Sequence, residues 1–248
     1  MNNLDLSAPQ GWNALDRGQL KFLFRLIAQC QDRTQLKLLY LLRYNSASVV
    51  SLEPDGTYLL RVRGSLWKVD PLSLAEAIES HLSWLDKWPD YPVRIDRLGR
   101  RKAVAADFAG VSFEDWLIID SLYQAYLQSN DDDRLDDMTE VLYGRRMTLR
   151  PDLRVMVFFW VASLKELMAR LYPHFIRPAG GAGEGETSAP HAGPTQAESV
   201  QSQIRALTGG DITKRDTILR TECHLALAEL DAMAREAEEM RKKYPEAK

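Results

Sequence analysis

The sequence predicts a mainly α-helical protein with one small β-hairpin, and three observations carry that reading. Apolar residues recur at helical spacing in stretch after stretch, and a glycine turn joins two segments of alternating polarity. Residues 178–198 contain no Leu, Ile, Val, Met or aromatic side chain. That run divides the chain into a helical body (1–177), a flexible linker (178–198) and a short C-terminal helical docking segment (199–248). A stretch of Gly, Ala, Pro, Thr and Ser buries too little apolar surface to offset its ordering entropy, so it should act as a tether with a root-mean-square span of roughly 25 Å.

At 248 residues, with 45% hydrophobic and 27% charged side chains, the chain has the composition of a soluble globular protein. All six Trp precede the linker, where they can fill a core. A formal charge of −3 gives no general pull towards nucleic acid or an anionic membrane. Cys30 and Cys223 form neither a disulfide framework nor a metal cluster, which suits a reducing compartment. The N-terminus lacks a signal-peptide pattern, and the longest apolar run, Val155 to Ala162, is far short of a bilayer span. The expected location is the cytoplasm of a bacterial host, with no membrane association.

The elements follow in order. Asp16 and Gln19 make a capping box before a helix with Leu20, Leu23, Phe24 and Ile27 on one face. A second helix, about Thr34 to Tyr44, buries Leu36, Leu39 and Tyr40 and closes a helical hairpin. Tyr58–Arg63 and Leu66–Asp70 flank Gly64-Ser65, a two-residue turn that pairs Val62 with Trp67 and Leu60 with Val69. Arg61, Arg63 and Lys68 then share the solvent face. Ser73 opens a helix to about Asp86, which Pro89 and Pro92 end. Arg94, Arg97, Arg100, Arg101 and Lys102 crowd a turn around Gly99 that forms a short loop or second hairpin, with few aromatics beside it for base stacking.

Ser112 and Asp115 cap a helix bearing Phe113, Trp116, Ile119, Tyr123 and Leu127, with Asp120 either buried, solvent-facing or paired. A short acidic helix runs from about Asp133 to Gly144. Its acids complement the helix dipole and lack the EF-hand pattern. The segment from Pro151 to Tyr172 is apolar nearly all round in its first half, so it should be the central buried helix. In the linker, Gly180 to Gly185 superficially resembles a phosphate loop, but no strand precedes it and no Lys-Ser/Thr closes it.

Beyond the linker, Val200 to Leu207 forms a helix ended by Gly209-Gly210, and Asp211 caps the next one. From Leu219 a heptad-like series appears: Leu219, Cys223, Ala226, Leu230, Met233, Ala237 and Met240. These residues are the expected partner-binding stripe. The tail has as many basic as acidic side chains, so it is no polybasic arm. Its stripe must bury against the body, a second copy or a different protein. His81, His174, His191 and His224 are scattered, no metal-ligand spacing occurs, and no GxSxG elbow, Walker loop or Cys–His signature is present. Neither an enzyme, a metal site nor a cofactor is expected.

Trp12-Asn13-Ala14-Leu15-Asp16 with Gln19-Leu20, and Phe113-Glu114-Asp115-Trp116 through Tyr123, Tyr126 and Leu127 to Val141-Leu142-Tyr143, form one group of short motifs. The tail from Ile204 to Lys214, followed by Leu225 to Leu230, forms another. Together they resemble proteins of the tail-morphogenesis regions of tailed phages and prophages, and the layout is similar to that of phage tail assembly chaperones. The resemblance implies a non-enzymatic protein that binds the tape-measure protein and recruits tail-tube subunits. The hairpin and the basic turn depart from that pattern, and no functional residue carries over position by position. The expected function is therefore a protein–protein assembly factor that captures a partner through the Leu219 to Met240 stripe, with self-association also open. The alternative is a nucleic-acid-binding accessory protein using Arg61, Arg63, Lys68 and Arg94 to Lys102. Deleting 199–248 should abolish capture and leave the body folded.

Overall fold

The computed structural model describes residues 6–176 and 196–244. Among them are nine α-helices, a three-stranded antiparallel sheet and a two-stranded hairpin, the mainly α architecture expected. The Gly180–Gly185 run and His191 lie outside the described residues, as does most of the expected linker, whose last residues already belong to a helix that begins at Gln196. The chain groups into two compact units: Met1–Ile95 with Leu149–Met156, and Asp96–Thr148 with Val157–Lys248. The C-terminal segment thus belongs to the same unit as residues 96–148, which differs from the expected division into body and appendage.

In the first unit, α1 (Arg17–Gln29) starts on the expected capping box: Asp16 Oδ1 accepts from the Gln19 N–H and Gln19 Oε1 from the Asp16 N–H, both at 2.8 Å. Asp32 caps α2 (Arg33–Tyr44), which buries Leu36, Tyr40, Leu41 and Leu42 and leaves Leu39 outside. Buried Asn45 ties the chain's start to the end of α2, its amide bonding Ser7 and the Leu41 carbonyl. Trp12 and Trp84 meet edge to face at 5.1 Å, and each indole N–H finds a carbonyl, Lys87 and Pro9 respectively.

The sheet has the order β1 (Ala47–Leu52), β2 (Tyr58–Val62), β3 (Ser65–Val69). Strand β1 escapes a sequence reading because it is a largely exposed edge, and a bulge at Val50 breaks its alternation. The β2–β3 register also differs from expectation. Leu60 pairs with Trp67 and Val62 with Ser65, so the turn is Arg63-Gly64. Both turn residues have positive φ, 49° and 91°, a turn whose twist matches the strands and which needs glycine at only one centre. The slip is two residues, so the faces are unchanged: Leu60 and Val62 point inward, while Arg61 and Lys68 share the outer face. Arg63 leaves that face for the turn. Helix α3 (Pro71–Leu82) is capped by Asp70, not opened by Ser73, with Pro71 at its first position.

In the second unit, the hairpin β4 (Arg97–Leu98) and β5 (Arg101–Lys102) forms around Gly99. Ser112 caps α4 (Phe113–Ser129), and α5 (Asp133–Tyr143) ends on Gly144 in the left-handed region. Helix α6 (Pro151–Leu171) supplies the centre of the core from Val157 onward: Val157, Trp160, Val161, Leu164 and Met168 are fully buried. The Trp160 indole N–H donates to the Ala106 carbonyl at 2.8 Å, and Phe108 sits edge-on to both Trp116 and Trp160. Helices α7 (Gln196–Thr208), α8 (Arg215–Arg220) and α9 (Cys223–Lys243) complete this unit, adding Ile204, Cys223, Ala226, Leu227 and Leu230 to its buried set.

Candidate functional site

The heptad-like series expected from Leu219 does not lie on one helix. Leu219 lies in the last turn of α8 (Arg215–Arg220), and an extended pair, Thr221-Glu222, interrupts the seam before α9. That pair runs antiparallel to Val111-Ser112. The Phe113 N–H donates to the Thr221 carbonyl and the Cys223 N–H to the Val111 carbonyl, both at 2.8 Å. The Glu222 carboxylate accepts the Leu225 N–H, capping α9, and also the Gly110 N–H, each at 3.1 Å. Cys223, Ala226 and Leu230 are therefore buried in the interior of this unit. As a correction to the sequence expectation, these three cannot meet a partner while the unit is closed.

Glu222, Cys223 and His224 bring a carboxylate oxygen, a thiol and a ring nitrogen within 4.8 Å of one another. Sequence spacing gave no sign of this trio, and its chemistry is already committed. His224 Nε2–H donates to the Asp107 carbonyl at 2.7 Å. A carbonyl only accepts, so Nε2 carries a proton, and Nδ1 and the Tyr172 hydroxyl share a hydrogen bond at 2.7 Å. The Cys223 thiol donates to the Phe108 carbonyl at 3.4 Å; burial, then the Glu222 charge, pushes it up to about 12. Burial likewise raises Tyr172 to about 12. Both imidazole nitrogens are occupied and the thiol stays protonated, so the trio staples α9 to the 107–112 loop.

Past Leu230 the same helix changes character. Met233 is 37% exposed and Met240 58%, and Ala237 and Tyr244 are exposed as well. The spacing of four and three residues keeps Met233, Ala237 and Met240 on one stripe, and Tyr244 follows as the residue that ends the helix. This half is tied at Asp231, whose Oδ1 accepts the His174 and Phe175 N–H groups at 2.8 and 3.0 Å, and at Glu238, which lies 3.2 Å from His174 Nδ1. Leu219, on α8, borders a shallow apolar groove with Leu117, Ile118, Val200 and Ile204.

No family model, curated protein or solved structure matches the chain.

The basic residues fall into separate places. Arg61 and Lys68 share the outer sheet face of the first unit, Lys68 lying 3.9 Å from Asp55. Arg94 is in the first unit and half-buried, whereas Arg97, Arg100, Arg101 and Lys102 form the hairpin of the second. There Arg100 and Arg101 line an open groove with Arg145, Arg146 and Thr148, a grouping the sequence did not suggest because 43 or more residues separate the two runs. Arg146 donates to Asp137 at 2.5 Å, and that bond raises its guanidinium above the ordinary value. Asp120 pairs with Lys165, whose ammonium lies 5.0 Å over the Trp116 ring. The acidic run is similarly spoken for, Asp131 and Asp137 bonding Arg134. No described helix is long and apolar enough to cross a membrane.

Proposed function

We propose that the chain is a non-enzymatic assembly factor that holds a protein partner, in the manner of a phage tail assembly chaperone. The observation that carries this reading is the exposed stripe Met233, Ala237 and Met240 on the distal half of α9, with exposed Tyr244 just past its end. Unbranched Met side chains adapt to the shape of an apolar partner helix, and the charged residues between them keep the free stripe soluble. The partner in this reading is a tape-measure or tail-tube protein of the same genetic element, met in the bacterial cytoplasm. The test is co-expression with each of those proteins, comparing the full chain with Met233→Glu/Met240→Glu. Capture lost by the double variant at unchanged helicity supports the reading, and equal capture overturns it.

The Arg100, Arg101, Arg145 and Arg146 groove favours a second reading, a polyanion such as duplex nucleic acid bound through its backbone. Binding that falls steeply with salt and is lost in Arg100→Gln/Arg145→Gln would move the function there.

A further inference from the structure

A different groove in the first unit combines cations with aromatic rings. It is open, has a volume of about 860 Å³ and is bounded by the start of α1, the end of α2 and the β2–β3 turn. That volume lies in the range of about 300–1,000 Å³ typical of small-molecule sites. Lys21, Arg25, Arg43 and Arg63 line it, and none of the four has a carboxylate within ion-pair distance among the described residues. One carboxylate, Asp16, stands against them, and it is engaged in capping α1. Four unpaired cations on one short wall repel each other, and an anion between them removes that cost.

Two further observations point to a ligand. The rings of Phe22 and Tyr44 face the same space, Tyr44 being 39% exposed, and the Arg43 guanidinium lies 5.9 Å over the Phe22 ring. Tyr40 is only 2% exposed and its hydroxyl has no hydrogen-bond partner. Burial, then Tyr44 and Asp16, hold that phenol well above its ordinary value, so it stays a donor without an acceptor.

We propose that this groove binds a nucleotide unit, its phosphate held by Arg43, Arg63 and their neighbours and its base laid against the Phe22 and Tyr44 rings. Guanidinium forks match phosphate oxygens, while flat rings between cations suit a base and offer nothing to an acidic side chain. A ligand oxygen at the floor would accept the Tyr40 proton. The unit can come from a free mononucleotide or from single-stranded nucleic acid, since both present the same phosphate and base.

The test is a titration of the full chain with a labelled single-stranded oligonucleotide, with adenosine monophosphate, and with polyglutamate as an acidic control. Arg43→Gln and Arg63→Gly, the latter compatible with the positive φ, should each weaken oligonucleotide or mononucleotide binding about tenfold while the chain stays folded with an intact helical spectrum. Tyr40→Phe should weaken binding while raising the melting temperature, a combination that a merely structural hydroxyl would not give. Binding of the oligonucleotide alone assigns the single strand as source; equal binding of the mononucleotide assigns the free nucleotide. The proposal is overturned by no binding at low salt, by polyglutamate competing as well as the oligonucleotide, or by affinity that follows Arg100→Gln/Arg101→Gln instead. Retention of oligonucleotide binding by Met233→Glu/Met240→Glu is required, which separates this groove from the α9 stripe.

Discussion

The two halves of α9 carry the same apolar period and have opposite fates. Cys223, Ala226 and Leu230 are buried, and Met233, Ala237 and Met240, on the continuation of the same stripe, are exposed. What separates them is the company they keep. The proximal half starts from an extended pair bonded to Val111-Ser112 and is stapled through Glu222, Cys223 and His224, whereas past Leu230 the helix is tied at Asp231 and Glu238 while its apolar stripe stays exposed. Periodicity locates a stripe, then, but the neighbours decide whether it is core or surface.

The largest way to break the comparison is to remove both halves. A chain ending at Arg177 loses Ile204, Cys223, Ala226, Leu227 and Leu230 from the interior of the second unit. The expected outcome is loss of that unit's cooperative unfolding transition and exposure of apolar surface to a hydrophobic dye, contrary to the intact body that the sequence suggested. A chain ending at Asp231 keeps all five residues and should retain the transition. Finding both truncations equally well folded would make the proximal half dispensable.

Point substitutions sharpen the same contrast. Leu230→Ala should cost about 2–5 kcal/mol in denaturant unfolding, because Leu230 is 4% exposed and its removal leaves a cavity. Met233→Ala, one turn further along, should stay within about 0.5 kcal/mol of the parent. Similar costs at the two positions would mean that the distal stripe is covered in solution. Between them, Asp231→Ala removes the acceptor for two backbone N–H groups and should cost about 1–2 kcal/mol. Hydrogen exchange at His174 and Phe175 should then quicken while exchange at Cys223 is unchanged.

Much of the first unit was legible because its signals are local. The Asp16–Gln19 capping box and the faces of the β2–β3 hairpin each follow from residues within a few positions of one another. Strand β1 was not legible, since an exposed, bulged edge strand has neither the alternation nor the apolar run that marks a strand. The candidate sites were less legible still. The division of α9 into buried and exposed halves depends on contacts with residues 107–112 and 172–175, and the arginine groove joins residues 100–101 to 145–146. The cation-and-ring groove draws Lys21, Arg43 and Arg63 from three elements, and only Arg63 drew notice in the sequence, on the wrong surface. Sites assembled across long separations leave no spacing to read.

The smallest expected effect concerns the entry to the packed half. Asp211 precedes α8, and its Oδ1 accepts from the Thr213 N–H at 3.0 Å and the Thr213 hydroxyl at 2.6 Å, with Lys214 3.6 Å away. The Thr213 hydroxyl, then its backbone N–H, holds the Asp211 carboxyl below its ordinary value of 3.8. A folded-state value lower than the unfolded one adds stability above pH 3.8 and loses it as pH falls through the folded value. Asp211→Asn keeps the acceptor oxygen and removes only the charge. The stability difference between parent and variant should therefore be constant from neutral pH down to about 4 and shrink below it, and added salt should reduce it throughout because the carboxylate is exposed. A flat Asp211→Asn difference across the whole range would place the capping energy in the oxygen's geometry and none of it in the charge.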